Sequence, residues 1–285
     1  MSFEPSEAQL AALRAGDPSE RVALVRLLAV KDPASYARWR SGLDAALAAA
    51  SGRRVFRGVV DRVLLGGDFA ADELLIDEFP SRELAAESLR ARNPHLEGAL
   101  AGAFVIAARP RPLPGLALRA AGWLARLRRQ PKSAPDPRAP PQRNPAIEPT
   151  PDALLGFLAS EAERPLCMLN LNLHRDAAAY ASYGRNTLPQ LLRRGARPRW
   201  TAAALPVLIG ETGHPLQEAW SEILLVDYPT RRAMLEMLSD PGYQAGLPHR
   251  EAGLSRAALV ATCPAPAAPA VQPASPSRGS GPPKG

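Results

Sequence analysis

The sequence predicts an α+β protein made of two tandem β-α-β-β-α-β units that share one core. Three observations point there. The chain repeats itself at an offset of 144 residues, each copy carries the same order of strand and helix signals, and proline and basic residues collect between and after the copies. EPSEAQLAALR (4–14) faces EPTPDALLGFL (148–158). At the same offset VALVRLL (22–28) faces LCMLNLN (166–172), Tyr36 faces Tyr180, and Trp39 faces Tyr183. After a five-residue insertion in the second copy, DEFPSR (77–82) matches VDYPTR (226–231), and FVIAARP (104–110) matches LVATCP (259–264).

Each element has a local reason. A capped helix opens each copy: Ser6 with Gln9 three residues later is a capping-box spacing, and Thr150 precedes Pro151 at the first helical position. An apolar strand follows at 22–29 and 166–173. A helix comes next, at 33–50 and 176–194, and stops near Gly52 or Gly195. Two strands follow, at 54–65 and 73–79, then 198–209 and 219–228. Pro-Ser-Arg or Pro-Thr-Arg opens a second helix at 81–92 and 230–239, and strands at 103–108 and 257–263 close the units. This order is the ferredoxin-like split. One such sheet, with both helices on one face, leaves its other face apolar and bare, and two bare faces can bury each other. The expectation is an intramolecular pseudo-dimer, a dimeric α/β-barrel within one monomeric chain. Its domains span 4–110 and 148–263, with a linker at 111–147 and a disordered tail at 264–285.

Composition narrows the function classes. The net charge is +7, but residues 109–147 carry nine basic residues against Asp136 alone, while the blocks on either side are nearly neutral. That distribution argues against a broad nucleic-acid face. Ten of the 31 prolines lie at 110–149 and seven follow Cys263, so segments such as QPKSAPDPRAPPQRNP (130–145) and PAPAAPAVQPASPSRGSGPPKG (264–285) cannot sustain helix or sheet. Within the linker, LPGLALRAAGWLARLRRQ (113–130) reads as a basic amphipathic helix. It suits either a docked linker or a membrane or partner surface. The acidic N-terminus MSFEPSEAQL lacks the form of a secretory signal, which leads to the expectation of a cytoplasmic protein. Cys167 and Cys263 make no disulfide framework, and no Cys/His spacing suggests zinc. No nucleotide-binding glycine motif or nucleophile elbow is present, so no cofactor is expected.

The second copy resembles the domain-of-unknown-function 1330 family of the dimeric α/β-barrel superfamily. The resemblance rests on EPTPDALLGFL, PLCMLNLNL, YASYGRNTLPQLLRRGARPRW, EAWSEILLVDYPTRRAMLEMLSDPGYQ and HREAGL, over about 148–263; the first copy resembles a divergent member over 4–110. Family members often carry Trp-Asp where this chain has Trp220-Ser221. The family has no established general activity. Relatives in the superfamily include cofactor-independent monooxygenases and small-molecule isomerases, so the resemblance implies a small-molecule pocket.

Candidate residues gather in the second copy. Period-two alternation sorts Cys167, Leu169, Leu171 and Leu173 onto one face of the 166–173 strand, expected under the helices. Met168, Asn170 and Asn172 fall on the other, expected in the barrel interior, where a ligand chamber would lie between the sheets. Asn170 would then orient a ligand carbonyl or carboxylate, or simply be an amide satisfied by its neighbours. Arg26 takes its place in the first copy, where it calls for a carboxylate, from the chain itself or from a ligand. His249 is the candidate to move a proton and Arg250 to pair with an anion, unless both belong to a solvated loop. Tyr183 and Trp220 are candidate pocket walls, with core packing as the alternative. These residues suggest a pocket for a small acidic or carbonyl compound, with or without catalysis. The alternative is a non-catalytic scaffolding module that recruits partners through the linker helix.

Overall fold

Side-chain caps start the helices. In the computed structural model, which describes residues 3–91, 95–115, 120, 143–159, 162–210 and 213–265, α1 (Glu7–Arg14) opens on the reciprocal Ser6–Gln9 capping box. Asp32 caps α2 (Pro33–Ala49) and Ser81 caps α3 (Arg82–Arg90) by accepting a first-turn N–H. In the second half Thr150, Asp176 and Thr230 cap α5 (Pro151–Leu158), α6 (Ala177–Arg193) and α7 (Arg231–Leu238) in the same way. Gly195, at φ +76°, follows the end of α6, a backbone conformation that costs glycine least. Three one- or two-turn helices were not anticipated: α4 (Leu96–Ala99), α8 (Pro241–Gln244) and α9 (Leu247–Gly253).

Eight antiparallel strands form one closed barrel. They are β1 (Val22–Val30), β2 (Arg53–Leu65), β3 (Glu73–Phe79), β4 (Leu100–Arg111), β5 (Leu166–His174), β6 (Arg197–Ile209), β7 (Glu222–Tyr228) and β8 (Leu254–Pro264). The order around the barrel is β1-β3-β2-β8-β5-β7-β6-β4, returning to β1. Each half thus contributes a four-stranded sheet of the same internal order, β4-β1-β3-β2 and β8-β5-β7-β6. The sheets join edge to edge, β2 to β8 with Val59 opposite Cys263, and β4 to β6 with Ala108 opposite Ala204. Closure leaves no free sheet edge in the barrel. Among the described residues no helix is long and apolar enough to cross a membrane.

Edge joining changes which face goes where. Every strand sends apolar side chains into one shared interior, among them Val25, Phe56, Ile76, Phe104, Leu169 and Leu225. An eight-stranded barrel is narrow enough for side chains to fill, and here these do. The expected orientation of β5 is therefore reversed. Cys167, Leu169 and Leu171 fill the interior, whereas Met168, Asn170 and Asn172 point outward beneath the helices. The all-apolar face goes to the dry interior, and the face with amides goes where helix and sheet can be held apart. Cys167 lies fully buried beside Asp227, and burial, with that carboxylate, pushes its thiol well above the usual range. Cys167 is expected to resist iodoacetamide in the folded protein and to react after denaturation; mass-spectrometric labelling checks this.

The Pro-Ser/Thr-Arg signal has a structural role in both halves. Arg82 donates to the carbonyls of Leu13 and Ala15 at the end of α1 and pairs with Glu20. Arg231 donates to the Phe157 carbonyl at 3.1 Å, lies over the Phe157 ring and pairs with Asp61 of the other half at 3.0 Å. Each arginine ties the opening helix to its own half, and Arg231 also crosses between halves. Arg231→Met is expected to lower stability by about 3 kcal/mol in urea denaturation. Arg232→Met, which breaks an exposed pair with Glu163, is expected to cost at most about 1 kcal/mol. The predicted basic helix at 113–130 lies mostly, and the predicted disordered tail almost wholly, outside the described residues.

Candidate functional site

A cavity of about 650 Å³ lies between α6 and the outer face of the second sheet. Its floor is Met168, Asn170 and Asn172 of β5 with Leu224 and Val226 of β7. Tyr180 and Tyr183, one turn apart on α6, form its roof, and α9 closes one side with Arg250. Gly253 lets α9 come this close, since a Cβ there would sit 2.6 Å from the Tyr180 nitrogen.

The same space in the first half is plugged. Arg26 stands where β5 has Asn170, and Asp77 stands where β7 has Val226. Arg26 meets Asp77 at 2.5 Å, and Arg54 meets the same carboxylate at 2.7 Å. The Tyr36 hydroxyl donates to Glu73, which also takes Arg57 at 2.6 Å. A cavity of about 120 Å³ is left there. The Arg26 alternative is resolved in favour of a protein carboxylate.

Arg250 is the unusual group in the larger cavity. It is 8% exposed, and its side chain makes no hydrogen bond or ion pair with any described residue. Its guanidinium lies 6.0 Å from the Tyr183 ring centroid. Glu148, an acid on the same wall, accepts the Arg143 backbone N–H at 2.7 Å. A guanidinium keeps its charge at any ordinary pH, and the Tyr183, Tyr243 and Tyr180 phenols and the Glu148 carboxylate favour that charge against its burial, so the wall presents a buried cation whose N–H groups have no direct hydrogen-bond partner among the described residues. Rings continue away from it, with His174–Tyr180, Tyr180–Tyr183 and Tyr183–Tyr243 centroids 4.7, 5.6 and 6.2 Å apart. Burial pushes the Tyr180, Tyr228 and Tyr243 phenols above their ordinary values, which makes them neutral hydrogen-bonding groups and not bases.

The sequence-predicted residues divide. Asn170, Tyr183 and Arg250 converge on the cavity. The Asn170 amide nitrogen donates to the carbonyls of Met168 and Leu224 at 3.1 and 3.3 Å, which leaves its oxygen, an acceptor, for anything bound. His249 is exposed and does not line the cavity, because adjacent residues on a helix point in different directions. Trp220 belongs to the barrel interior, where its indole N–H donates to the Leu216 carbonyl at 2.9 Å, and it is no pocket wall. Sequence reasoning put Asn172 on the Asn170 face and Tyr180 on the Tyr183 face but chose neither as a ligand contact, and it did not place His174 or Glu222 in the pocket. No group of three His, Cys, Asp or Glu able to hold a metal occurs among the described residues.

No protein-family model and no curated protein matches this chain. A solved protein of unknown function from Rhodopseudomonas palustris is 32% identical, over 40% of this chain and 93% of that one, with a TM-score of 0.37. On that sequence identity, this part of the chain belongs to the same family. The family likeness names no activity, since that protein's function is itself unknown. A chlorite dismutase variant from Candidatus Nitrospira defluvii matches over 90% of this chain and 94% of its own at 11% identity and a TM-score of 0.45. An anthrone oxidase-like protein matches over 86% and 92% at 10% identity and a TM-score of 0.43. At those values the two likenesses say nothing about the residues of the cavity.

Proposed function

We propose that this chain binds one small carboxylate with a flat apolar body, in the cavity of its second half. One observation carries the reading: Arg250 is a buried cation without a direct hydrogen bond or ion pair to any described residue, on the wall of a largely apolar, tyrosine-lined cavity. Arg250 would take the carboxylate through two parallel hydrogen bonds. Tyr183 and the floor residue Met168 would pack the apolar body, and the Asn170 oxygen would accept a hydrogen bond from its edge. The proton transfer expected of His249 is not part of this reading, because that side chain faces solvent. The matching pair of sheets, and the plugged first half, support a tandem pseudo-dimer of the domain-of-unknown-function 1330 type that has kept one of two equivalent pockets.

Isothermal titration with benzoate, 2-naphthoate and 2-anthracenecarboxylate tests this. At least one is expected to bind at one site per chain with a Kd of about 100 µM or tighter, its methyl ester at least about tenfold more weakly. Failure of all three acids to bind at 1 mM overturns the proposal.

A further inference from the structure

Beyond the Arg250 wall, a second polar cluster faces the same cavity, built by the end of β5, the first turn of α6 and the start of β7. It consists of Asn172, His174, Tyr180 and Glu222. The Asn172 amide donates to the Tyr180 hydroxyl oxygen at 2.8 Å, so the single phenolic proton of Tyr180 must be donated elsewhere. No described residue accepts it. The His174 Nε2 is buried without a hydrogen bond, 3.8 Å from the Glu222 carboxylate. Glu222 is 15% exposed and otherwise meets Arg111 at 3.5 Å, so neither neighbour holds it closely.

The first half shows what the satisfied version looks like. Tyr36 and Glu73 occupy the positions of Tyr180 and Glu222, and there the phenol donates directly to the carboxylate. Arg57 closes on Glu73 at 2.6 Å and Arg40 stands at 3.8 Å. In the second half the phenol and the carboxylate are separated, each with hydrogen-bonding capacity left over, and both face the cavity.

We infer that this cluster reads a hydroxyl group on the bound molecule, so that the ligand class is a hydroxyaryl carboxylate. A hydroxyl is the group that both donates, here to Glu222, and accepts, here from Tyr180. An anion would be repelled by Glu222, and an ammonium group would leave the Tyr180 proton without an acceptor. Tyr180 lies between the two ends: its hydroxyl shares the cluster with Glu222 and its ring stacks on Tyr183, which faces Arg250.

The inference rests on the carboxylate reading, and the test separates the two. Titrations compare 2-naphthoate with its 5-, 6- and 7-hydroxy isomers on the full chain and on Glu222→Gln and Tyr180→Phe. On the unmodified chain one isomer is expected to bind about tenfold tighter or more than 2-naphthoate. In both variants the gain of that isomer over 2-naphthoate, measured on the same variant, is expected to shrink to about threefold or less. If 2-naphthoate binds but no isomer gains, or the gain survives both substitutions, the hydroxyl inference is overturned and the carboxylate site stands. If neither 2-naphthoate nor any isomer binds, the inference falls together with its premise.

Discussion

Arg250→Met is expected to remove carboxylate binding while leaving the unliganded protein at least as stable as before. The two halves of that result have one cause. The Arg250 side chain is buried with no direct hydrogen bond or ion pair among the described residues, and the Glu148 charge offsets only part of the desolvation of the guanidinium, which the empty protein bears. A methionine of similar reach fills the space without that cost. In the complex the guanidinium meets its anion, and truncating one member of such a desolvated pair costs about 3 kcal/mol, or roughly a hundredfold in Kd. Titration with the tightest-binding acid, and urea denaturation of the unliganded variant, measure the two quantities. Unchanged affinity removes Arg250 from the site. A large loss of stability shows instead that the residue holds the fold together.

Asp77 is expected to behave in the opposite way. It is fully buried and takes both Arg26 and Arg54. Asp77→Ala leaves Arg26 buried without its carboxylate and is expected to cost about 3–5 kcal/mol in urea denaturation. The second half shows what the site tolerates without charge, since Asn170 and Val226 stand in the matching positions. The double variant Arg26→Asn/Asp77→Val is therefore expected to be markedly more stable than Asp77→Ala. Arg54 then keeps its pair with Asp44. A double-mutant cycle on these two positions is expected to show coupling of about 2 kcal/mol or more. Strictly additive losses would mean that the two halves are not equivalent at this position.

Much of the fold was legible because its signals are local or repeated. The caps at Ser6, Thr150 and Thr230, and the match of VALVRLL with LCMLNLN, depend on residues near one another in sequence. The site was legible only in part. Arg250 was read as a residue to pair with an anion, and the structure places it on the cavity wall with no direct hydrogen bond or ion pair among the described residues. Its neighbour His249 looked equally chemical, but sequence spacing alone did not place the turn that sends one side chain into the protein and the other into water. Trp220 was misplaced for a related reason: an aromatic before a strand packs equally well against either side of a sheet. The tyrosine stack needs α6 to lie over β5 with α9 against it, which no local pattern states.

Sequence alone determined the order of the main strands and helices and the alternation of each strand, because capping and period-two patterning act over a few residues. Only the tertiary structure decided which side of each sheet became the interior. Joining the sheets at their edges closes a barrel just large enough for its own apolar side chains, and that volume limit moved the cavity from the centre to the space beneath α6. The same packing decided that one half would be filled by its own ion pairs and the other left open, since a carboxylate at position 77 and a valine at 226 act on a space that exists only once helix and sheet have met.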